Sequence, residues 1–146
     1  VKDPSFITHA SKTFGSQCIV SSIDAKCIGD RKWEVYVDNV RESTGLDVIE
    51  WAKKLELLGA GEIMLTSIDY EGTKKGFDLQ LNKAVSEAVS IPVIASGGAG
   101  KTSDITELMV ESNVDAAAVA SLFHYDLVTI SEVKLGLSAE EIKVRM

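Results

Sequence analysis

The sequence predicts an α/β protein built on a parallel sheet, and two features of the chain support this fold class. Short apolar runs of strand length alternate with amphipathic segments that have helical spacing. Strands separated by helices of about ten to fifteen residues need right-handed crossovers, which give parallel pairing. The chain has 146 residues, 45% of them hydrophobic and 25% charged, so we expect one globular domain with one core.

The net charge argues against nucleic acid as a partner. The chain carries 22 acidic and 15 basic residues, which gives −7 at pH 7 and the wrong sign for neutralising a phosphate backbone. Small phosphorylated ligands stay possible, because backbone N–H groups bind phosphate without any basic residue. No apolar run reaches the ~18 residues of a membrane span, so a membrane partner is not expected either.

The cysteines and the N-terminus indicate a cytoplasmic protein. Cys18 and Cys27 form neither a C-x-x-C motif nor a metal-ligand cluster, which favours reduced thiols. No metal and no other cofactor is expected. The first ten residues lack the basic-then-apolar pattern of a signal peptide, and Val1 in place of Met is compatible with a cut start.

The first part of the chain predicts a helix, a buried strand and a long excursion. Asp3 and Pro4 form an N-cap and first-turn pair for a helix that Gly15 ends. An apolar run predicts the first strand at about 17–24. Residues 25–45 are mainly polar apart from W-E-V-Y-V at 33–37, which alternates like a short ribbon strand. Excursions of this length are usually lids or binding loops.

Three further strand and helix units follow. Asp47 and Glu50 form a capping-box-like pair at the start of the next helix. The last segment, 130–142, is amphipathic, and we expect it to break near Gly136. The other predicted elements are strands at about 62–68, 92–96 and 115–121, with helices begun by Asp78 and by Thr102 or Ser103.

Two architectures fit this order of elements. Helices cover both faces of a doubly wound sheet, but only one face of a barrel segment. The tripeptide S-I-D ends two consecutive strands, at Asp24 and again 45 residues later at Asp69. Repeated units with polar strand ends are typical of barrel active sites, so the repeat favours a barrel segment. A complete barrel needs ~250 residues, more than this chain has.

The residues at the strand ends are the first candidates for chemistry. Asp24 would face the mouth of the sheet, where a general acid or base belongs; a solvated turn aspartate is the alternative. Asp69 precedes the turn-like Y-E-G-T, so we expect it to cap its own turn. Lys26 would point the same way as Asp24 if the strand continued, and is otherwise a solvated charge.

A glycine-rich turn predicts a phosphate site. S-G-G-A-G at 96–100 precedes a helix and offers backbone N–H groups, although it lacks the lysine of a P-loop and the spacing of a dinucleotide motif. The fourth strand ends in Ala120 and Ser121, and barrel phosphate sites are often made by the last two βα loops. His9 and His124 are expected to be surface or packing residues.

A series of motifs in one order resembles a known family. The motifs are D-P-S-F-I, F-G-S-Q, S-I-D-A-K, T-G-L-D-V-I-E-W-A-K, G-A-G-E-I-M-L-T-S-I-D, E-G-T-K-K-G-F-D, I-P-V-I-A-S-G-G-A-G-K and A-S-L-F-H-Y. They resemble the C-terminal half of the cyclase (synthase) subunit of imidazole glycerol phosphate synthase, a (β/α)8 barrel. The sister isomerase shares the fold, but T-S-I-D and S-L-F-H look like the cyclase. The implied fold is a (βα)4 half of a TIM barrel with parallel strands and an extra N-terminal helix.

The resemblance also implies an activity and a set of site residues. The reaction joins ammonia to a bis-phosphorylated formimino carboxamide ribulotide and yields imidazole glycerol phosphate and aminoimidazole carboxamide ribotide. The implied roles are catalysis for Asp24, substrate binding for Thr66 and Ser96, phosphate binding for Gly72, Gly98, Ala120 and Ser121, and an ammonia gate for Glu62. From the residues alone, Glu62 is a charge at the opposite end of the strand that serves stability or an interface.

The implied partners are the phosphorylated nucleotide, phosphate and a glutaminase subunit that delivers ammonia. Glu71 replaces the more usual Asp of the family, and V-D-N-V at 37–40 replaces a segment that contains Thr and Gly. Strands one to four of the family's barrel lie outside the half that this chain resembles.

The resemblance also bears on assembly. A half-barrel of four strands leaves two free edges and an apolar inner face, so a homodimer that completes the barrel is expected. The alternative function is a non-catalytic half-barrel that binds phosphate and self-associates.

Overall fold

Six strands form one mixed sheet in the computed structural model, which describes residues 1–145. The sheet order is β3-β2-β1-β4-β5-β6. The elements are α1 (Ser5–Phe14), a short 3-10 helix (Ser16–Cys18), β1 (Val20–Gly29), β2 (Lys32–Val37), β3 (Glu42–Asp47), α2 (Val48–Leu58), β4 (Glu62–Ser67), α3 (Leu79–Ser86), β5 (Val93–Ser96), α4 (Thr102–Glu111), β6 (Ala116–Ala118), α5 (Ser121–His124) and α6 (Ile130–Ala139).

The four strands β1, β4, β5 and β6 pair in parallel and in chain order. Each is followed by a segment that contains a helix, so they form four consecutive βα units after the opening helix α1. This arrangement confirms the predicted fold class, half of a TIM barrel. The C-terminal ends of all four strands meet at one edge of the sheet, which is where barrel sites are built.

The helices pack on one face of these strands. Along β4, Ile63 and Leu65 are fully buried, whereas Met64 and Thr66 between them are only partly covered. Burial of a leucine side chain stabilises the fold by about 2 kcal/mol, and the buried set continues into α3 and α4 as one core. Within residues 1–145 the other face has no helical cover, since every residue of β1, β4 and β5 that points to that face is half-buried or exposed. The doubly wound alternative is therefore excluded.

The excursion at 25–45 is a β-ribbon rather than a loop. The strand β1 continues to Gly29, and β2 and β3 add to it as antiparallel neighbours. Trp33 and Val35 turn into the core, and the Trp33 indole Nε1–H donates to the Asp78 carboxylate at 3.2 Å. The ribbon strand predicted at 33–37 is confirmed as β2. The loop expectation for the rest was wrong because E-S-T-G-L-D, which forms β3, has the composition of a loop and becomes a strand by pairing with β2.

The ribbon also changes the edge of the first parallel strand. That edge was expected to be free along its whole length. The strand β2 pairs with β1 from Asp24 to Gly29, so within residues 1–145 only the part from Val20 to Ile23 lacks a neighbouring strand on that side. The free edge is thus limited to the N-terminal part of β1 and lies away from the strand ends.

Several element boundaries differ from the prediction. The strand expected at 17–24 begins at Val20, because Gly15, with φ of +89°, ends α1 and a 3-10 turn follows it. The strand expected at 115–121 comprises only Ala116–Ala118, and Ser121 begins α5. The helix α6 does not break near Gly136. A Cβ there would lie 2.7 Å from Thr102 Cγ2, so the glycine allows α6 to pack closely on α4.

Two of the predicted helix caps are displaced. The N-cap residue of α1 is Pro4 and not Asp3, and the N-cap residue of α4 is Lys101 and not Thr102 or Ser103.

The caps predicted at Asp78 and Asp47 are confirmed. The Asp47 carboxylate accepts from Ile49 N and Glu50 N at 2.9 and 3.0 Å, which caps α2. Glu50 does not complete the expected capping box within residues 1–145, and its carboxylate instead forms an ion pair with Lys53 Nζ at 2.9 Å. Among the described residues, no helix has the length and apolar composition needed to cross a membrane.

Candidate functional site

One row of side chains crosses the open face at the C-terminal ends of the strands. The sheet register places Asp24 beside Thr66, and Thr66 beside Ser96. Neighbouring strands lie about 4.8 Å apart, so the three side chains form a continuous polar strip. The row ends at Ala118 on β6. The structure therefore brings together the predicted catalytic aspartate and both predicted substrate-binding hydroxyls.

The Asp24 carboxylate is available for chemistry. The residue is half-buried, and no side-chain hydrogen bond or ion pair within residues 1–145 engages its carboxylate. It lines an open cavity of about 660 Å³ between α1 and the start of the ribbon. A carboxylate that no structural partner occupies can accept or donate a proton to a bound molecule. This arrangement favours Asp24 as a general acid or base at the mouth of the sheet over the alternative of a solvated aspartate in a turn.

The ribbon supplies a fourth member of the row that the sequence did not reveal. Tyr36 on β2 is the direct cross-strand partner of Asp24. Because β1 continues beyond Asp24, Lys26 lies on the same face, with its Nζ 5.2 Å from the centroid of the Tyr36 ring. The W-E-V-Y-V alternation places Tyr36 on one face of its strand, but the register that sets it opposite Asp24 depends on the turn.

Glu34 holds the ribbon in shape. Its carboxylate accepts hydrogen bonds from the Ser43 hydroxyl and, at 2.6 Å, from Gly45 N. The Ser43 hydrogen bond is the main reason that the pKa of Glu34 lies below its ordinary value, with smaller contributions from the Gly45 N–H and the charge of Lys26. The contacts within the ribbon therefore fix the strand that carries Tyr36.

Asp69 has a structural role, but a different one from the role expected. Its carboxylate accepts from the backbone N–H of Cys27 at 2.7 Å and so bridges the β4 loop to the extension of β1. The turn after β4 closes through the backbone instead, with Glu71 N donating to Ser67 O at 2.9 Å. The expectation of a self-capped turn was wrong because the continuation of β1 presents a donor to Asp69.

The second part of the site is a cleft of about 210 Å³ beside the row. Three loops form its walls: the one after β4, the glycine turn after β5 and the segment from β6 into α5. The residues predicted to bind phosphate all line this cleft: Gly72, Gly98, Ala120 and Ser121. Ser96 lines it too and thereby connects the cleft to the row.

The backbone of the cleft offers donors. The N–H groups of Gly72, Gly98 and Ser121 donate to no backbone or side-chain acceptor within residues 1–145. Gly98 has a φ of +110°, and a Cβ on it would lie 1.9 Å from the carbonyl oxygen of Gly76. Only glycine fits there, and Gly76 N donates to Gly98 O at 2.9 Å to lock the two loops together.

Two charged side chains complete the cleft lining. Glu71 lies against Gly97, since a Cβ on that glycine would be 3.0 Å from the carboxylate oxygen Oε2. Lys74 is the one cationic side chain among the lining residues of the described chain. Lys74 is not among the site residues predicted from the sequence, although its place two residues after Gly72 in E-G-T-K-K-G was a usable signal.

Glu62 lies at the other end of the strands. It is the first residue of β4 and pairs with Val20, the first residue of β1. Four residues of strand, or about 13 Å, separate it from Thr66 on the same face. Glu62 therefore lies on the open face at the N-terminal end of β4, away from the row and the cleft.

The described residues contain no group of three or more His, Cys, Asp or Glu side chains that would hold a metal ion. Cys18 and Cys27 are free and exposed. His9 is exposed on α1, and the His124 ring packs edge-on against Tyr125 with ring centroids 5.0 Å apart. The chemistry available at the site is that of Asp24, the hydroxyls of the row and the donors of the cleft.

An open sheet face with polar residues at the C-terminal ends of parallel strands, next to a glycine-lined cleft, defines a site of the TIM-barrel enzyme type. The comparison with known families makes this more specific. The model of the family described as histidine biosynthesis protein matches residues 1–129, so the chain belongs to that family. The members of the family are enzymes of histidine biosynthesis that include isomerases and cyclases.

Proposed function

We propose that this chain provides the cyclase chemistry of imidazole glycerol phosphate synthase. In that reaction ammonia and a bis-phosphorylated formimino carboxamide ribulotide give imidazole glycerol phosphate and aminoimidazole carboxamide ribotide. The observation that carries the proposal is the row in which Asp24, Thr66 and Ser96 occupy adjacent strands at one level. The T-S-I-D and S-L-F-H motifs favour the cyclase over the sister isomerase.

Asp24 acts as the general acid or base in this proposal. Addition of ammonia and closure of an imidazole ring both require proton transfers at nitrogen and oxygen, which a free carboxylate in the mouth can perform. Thr66 and Ser96 lie beside it and offer hydroxyls that orient the substrate. One phosphate of the substrate binds in the cleft, where the unpaired backbone N–H groups provide donors.

The phosphate cleft can be tested alone with inorganic phosphate, followed by ³¹P NMR titration. We expect Gly98→Val to abolish binding. Because a Cβ at Gly98 collides with Gly76 O, a second variant is needed that leaves the loops intact. Ser121→Glu adds a like charge to the cleft and should weaken binding at least tenfold, whereas Ser138→Glu on the exposed end of α6 should not. Unchanged affinity in Ser121→Glu would remove this cleft as the phosphate site.

The proposed entry for ammonia is the N-terminal end of the open face, where Glu62 lies. The residue lies on the open face at the N-terminal end of the strands, opposite the row. Ammonia from a glutaminase subunit would enter at that end and reach Asp24 along the face. Glu62→Ala should then impair turnover driven by glutaminase and glutamine more than turnover driven by free ammonia.

Turnover of the nucleotide substrate decides between the cyclase and its alternatives. The assay supplies free ammonium salt, or glutamine with the glutaminase, and measures imidazole glycerol phosphate. Product formation supports the cyclase. Phosphate binding without product supports the non-catalytic half-barrel. Isomerase activity without this product would instead identify the sister isomerase.

We also propose that two copies associate to complete a barrel. The free part of the β1 edge, Val20–Ile23, and the outer edge of the short strand β6 are both available for pairing. The partly covered side chains of the open face would become buried on pairing, and two Asp24 carboxylates would face each other. Sedimentation velocity should show a dimer at micromolar concentration. A well-folded monomer would overturn the closed barrel.

A further inference from the structure

The loop after β4 and the segment after α5 are joined by an exposed contact at the rim of the phosphate cleft. The ammonium of Lys74 lies over the ring of Tyr125, with Nζ 4.2 Å from the ring centroid. This distance is well within the ~6 Å at which a cation and an aromatic face attract each other. Both side chains are exposed, so burial does not force the contact.

The backbone of Lys74 packs against a second loop of the cleft. Lys74 has a φ of +58°. A Cβ on Gly100 would lie 2.1 Å from the Lys74 carbonyl oxygen, so the backbone at Lys74 packs directly against the glycine turn after β5. Tyr125 N donates to Ser121 O at 3.1 Å, which joins the backbone of Tyr125 to the segment that lines the opposite wall. Lys74 therefore touches both of the other loops that form the cleft.

We propose that Lys74 is a phosphate-binding residue that Tyr125 holds in place. This inference rests on the proposed phosphate site and adds to it the one cationic side chain of the described cleft lining. A lysine side chain loses conformational freedom when it binds an anion, and the ring reduces that loss by placing the ammonium at the rim in advance. The ammonium also offsets the Glu71 carboxylate, which would otherwise repel a phosphate.

The ligand class is a phosphate monoester or inorganic phosphate. The unpaired N–H groups of Gly72, Gly98 and Ser121 can surround its oxygens, and the Lys74 ammonium supplies the charge. The cleft volume of about 210 Å³ holds one such group. Tyr125 acts on the ligand only through Lys74, so it is a positioning residue.

The test measures inorganic phosphate affinity by ³¹P NMR at several salt concentrations. Lys74→Met should weaken binding about tenfold, or ~1.4 kcal/mol, and flatten the salt dependence. Lys75→Met is the matched control, since it removes the neighbouring exposed lysine, which does not line the cleft. Tyr125→Leu should weaken binding about threefold, and Tyr125→Phe should bind as the parent does because the ring remains.

A second measurement tests the contact without phosphate. The ring should shift the Lys74 ε-methylene protons upfield in the free protein. That shift should persist in Tyr125→Phe and vanish in Tyr125→Leu. If the parent binds phosphate and Lys74→Met binds it equally well, the lysine is not a ligand and this inference fails alone. If the parent does not bind phosphate at all, the phosphate site itself fails, while the NMR shift still reports the contact.

Discussion

The two faces of the parallel strands differ in burial and in the residues they carry. On the helical face, Ile63 and Leu65 are completely removed from solvent. On the open face of the same strand, Met64 and Thr66 are only partly covered. Successive side chains of a strand point to opposite faces, so the alternating residues of β4 build the core on one face and the candidate site on the other.

This difference predicts that the site costs the fold little stability. The core is built from residues whose burial supplies stability, and none of them belongs to the row. The row residues Asp24, Thr66 and Ser96 contribute little packing, so their identities are free to serve chemistry. The comparison predicts that substitutions on the two faces have separable effects on activity and on stability.

Asp24→Asn should have the largest effect, and the effect should be on activity alone. Loss of a general acid or base lowers the rate by about 10²–10⁴-fold. The Asp24 carboxylate has no hydrogen-bond partner within residues 1–145, so the free energy of unfolding should change by less than about 1 kcal/mol. Turnover and urea unfolding measure the two quantities. An active variant would remove Asp24 from the mechanism, and an unstable one would show that it supports the fold.

Leu65→Ala should produce the opposite result from the helical face. Leu65 is 0% exposed, and removing a buried leucine costs about 2–5 kcal/mol. Thr66→Ala is the matched control on the open face, where we expect a loss below about 1 kcal/mol together with weaker substrate binding. Urea unfolding of both variants makes the comparison. Equal losses at the two adjacent positions would contradict the division between the faces.

The parallel part of the fold could be predicted from the sequence because it depends on local patterns. The apolar runs, the cap at Asp47 and the repeated S-I-D identify strands, helices and strand ends. The order of those elements then restricts the sheet to parallel pairing. The grouping of Asp24, Thr66 and Ser96 follows once the strands are in place, since parallel strands end at a common edge.

The alternation of W-E-V-Y-V predicts one strand of the ribbon, β2, but the strand β3 and the register of the ribbon could not be predicted because they depend on pairing between segments. The segment that forms β3 is polar and becomes a strand only through pairing with β2. The place of Tyr36 depends on the register of a hairpin. Lys74 was missed for a similar reason. Its contact with Tyr125 joins two loops across the cleft, and no local pattern reports such a contact.

Trp33→Phe should reveal how firmly the ribbon is attached to the parallel core. The substitution removes the indole N–H and leaves the buried Asp78 oxygen without that donor, which costs about 1–3 kcal/mol. Trp51→Phe is the control, because Trp51 is similarly buried and its indole N–H makes no hydrogen bond within the described residues. Urea unfolding should show the greater loss for Trp33→Phe. The reverse order would mean that packing, and not the hydrogen bond, anchors the ribbon.

Glu132→Gln should have the smallest effect, visible only in its dependence on pH. The carboxylate accepts from Thr129 N and Thr129 Oγ1, both at 2.7 Å, and these bonds lower the pKa of Glu132 below its ordinary value of 4.5, the backbone bond most strongly. A carboxyl group whose pKa is lower in the folded state stabilises the fold above its unfolded pKa, and this contribution is lost as the pH falls through the folded pKa. The parent should therefore exceed Glu132→Gln in stability at pH 7, and the difference should disappear in acid. Glu140→Gln, at the exposed end of the same helix, is the control. Urea midpoints from pH 7 to pH 3 give the comparison, and a difference that stays constant over this range would show that the charge of Glu132 does not contribute to the cap.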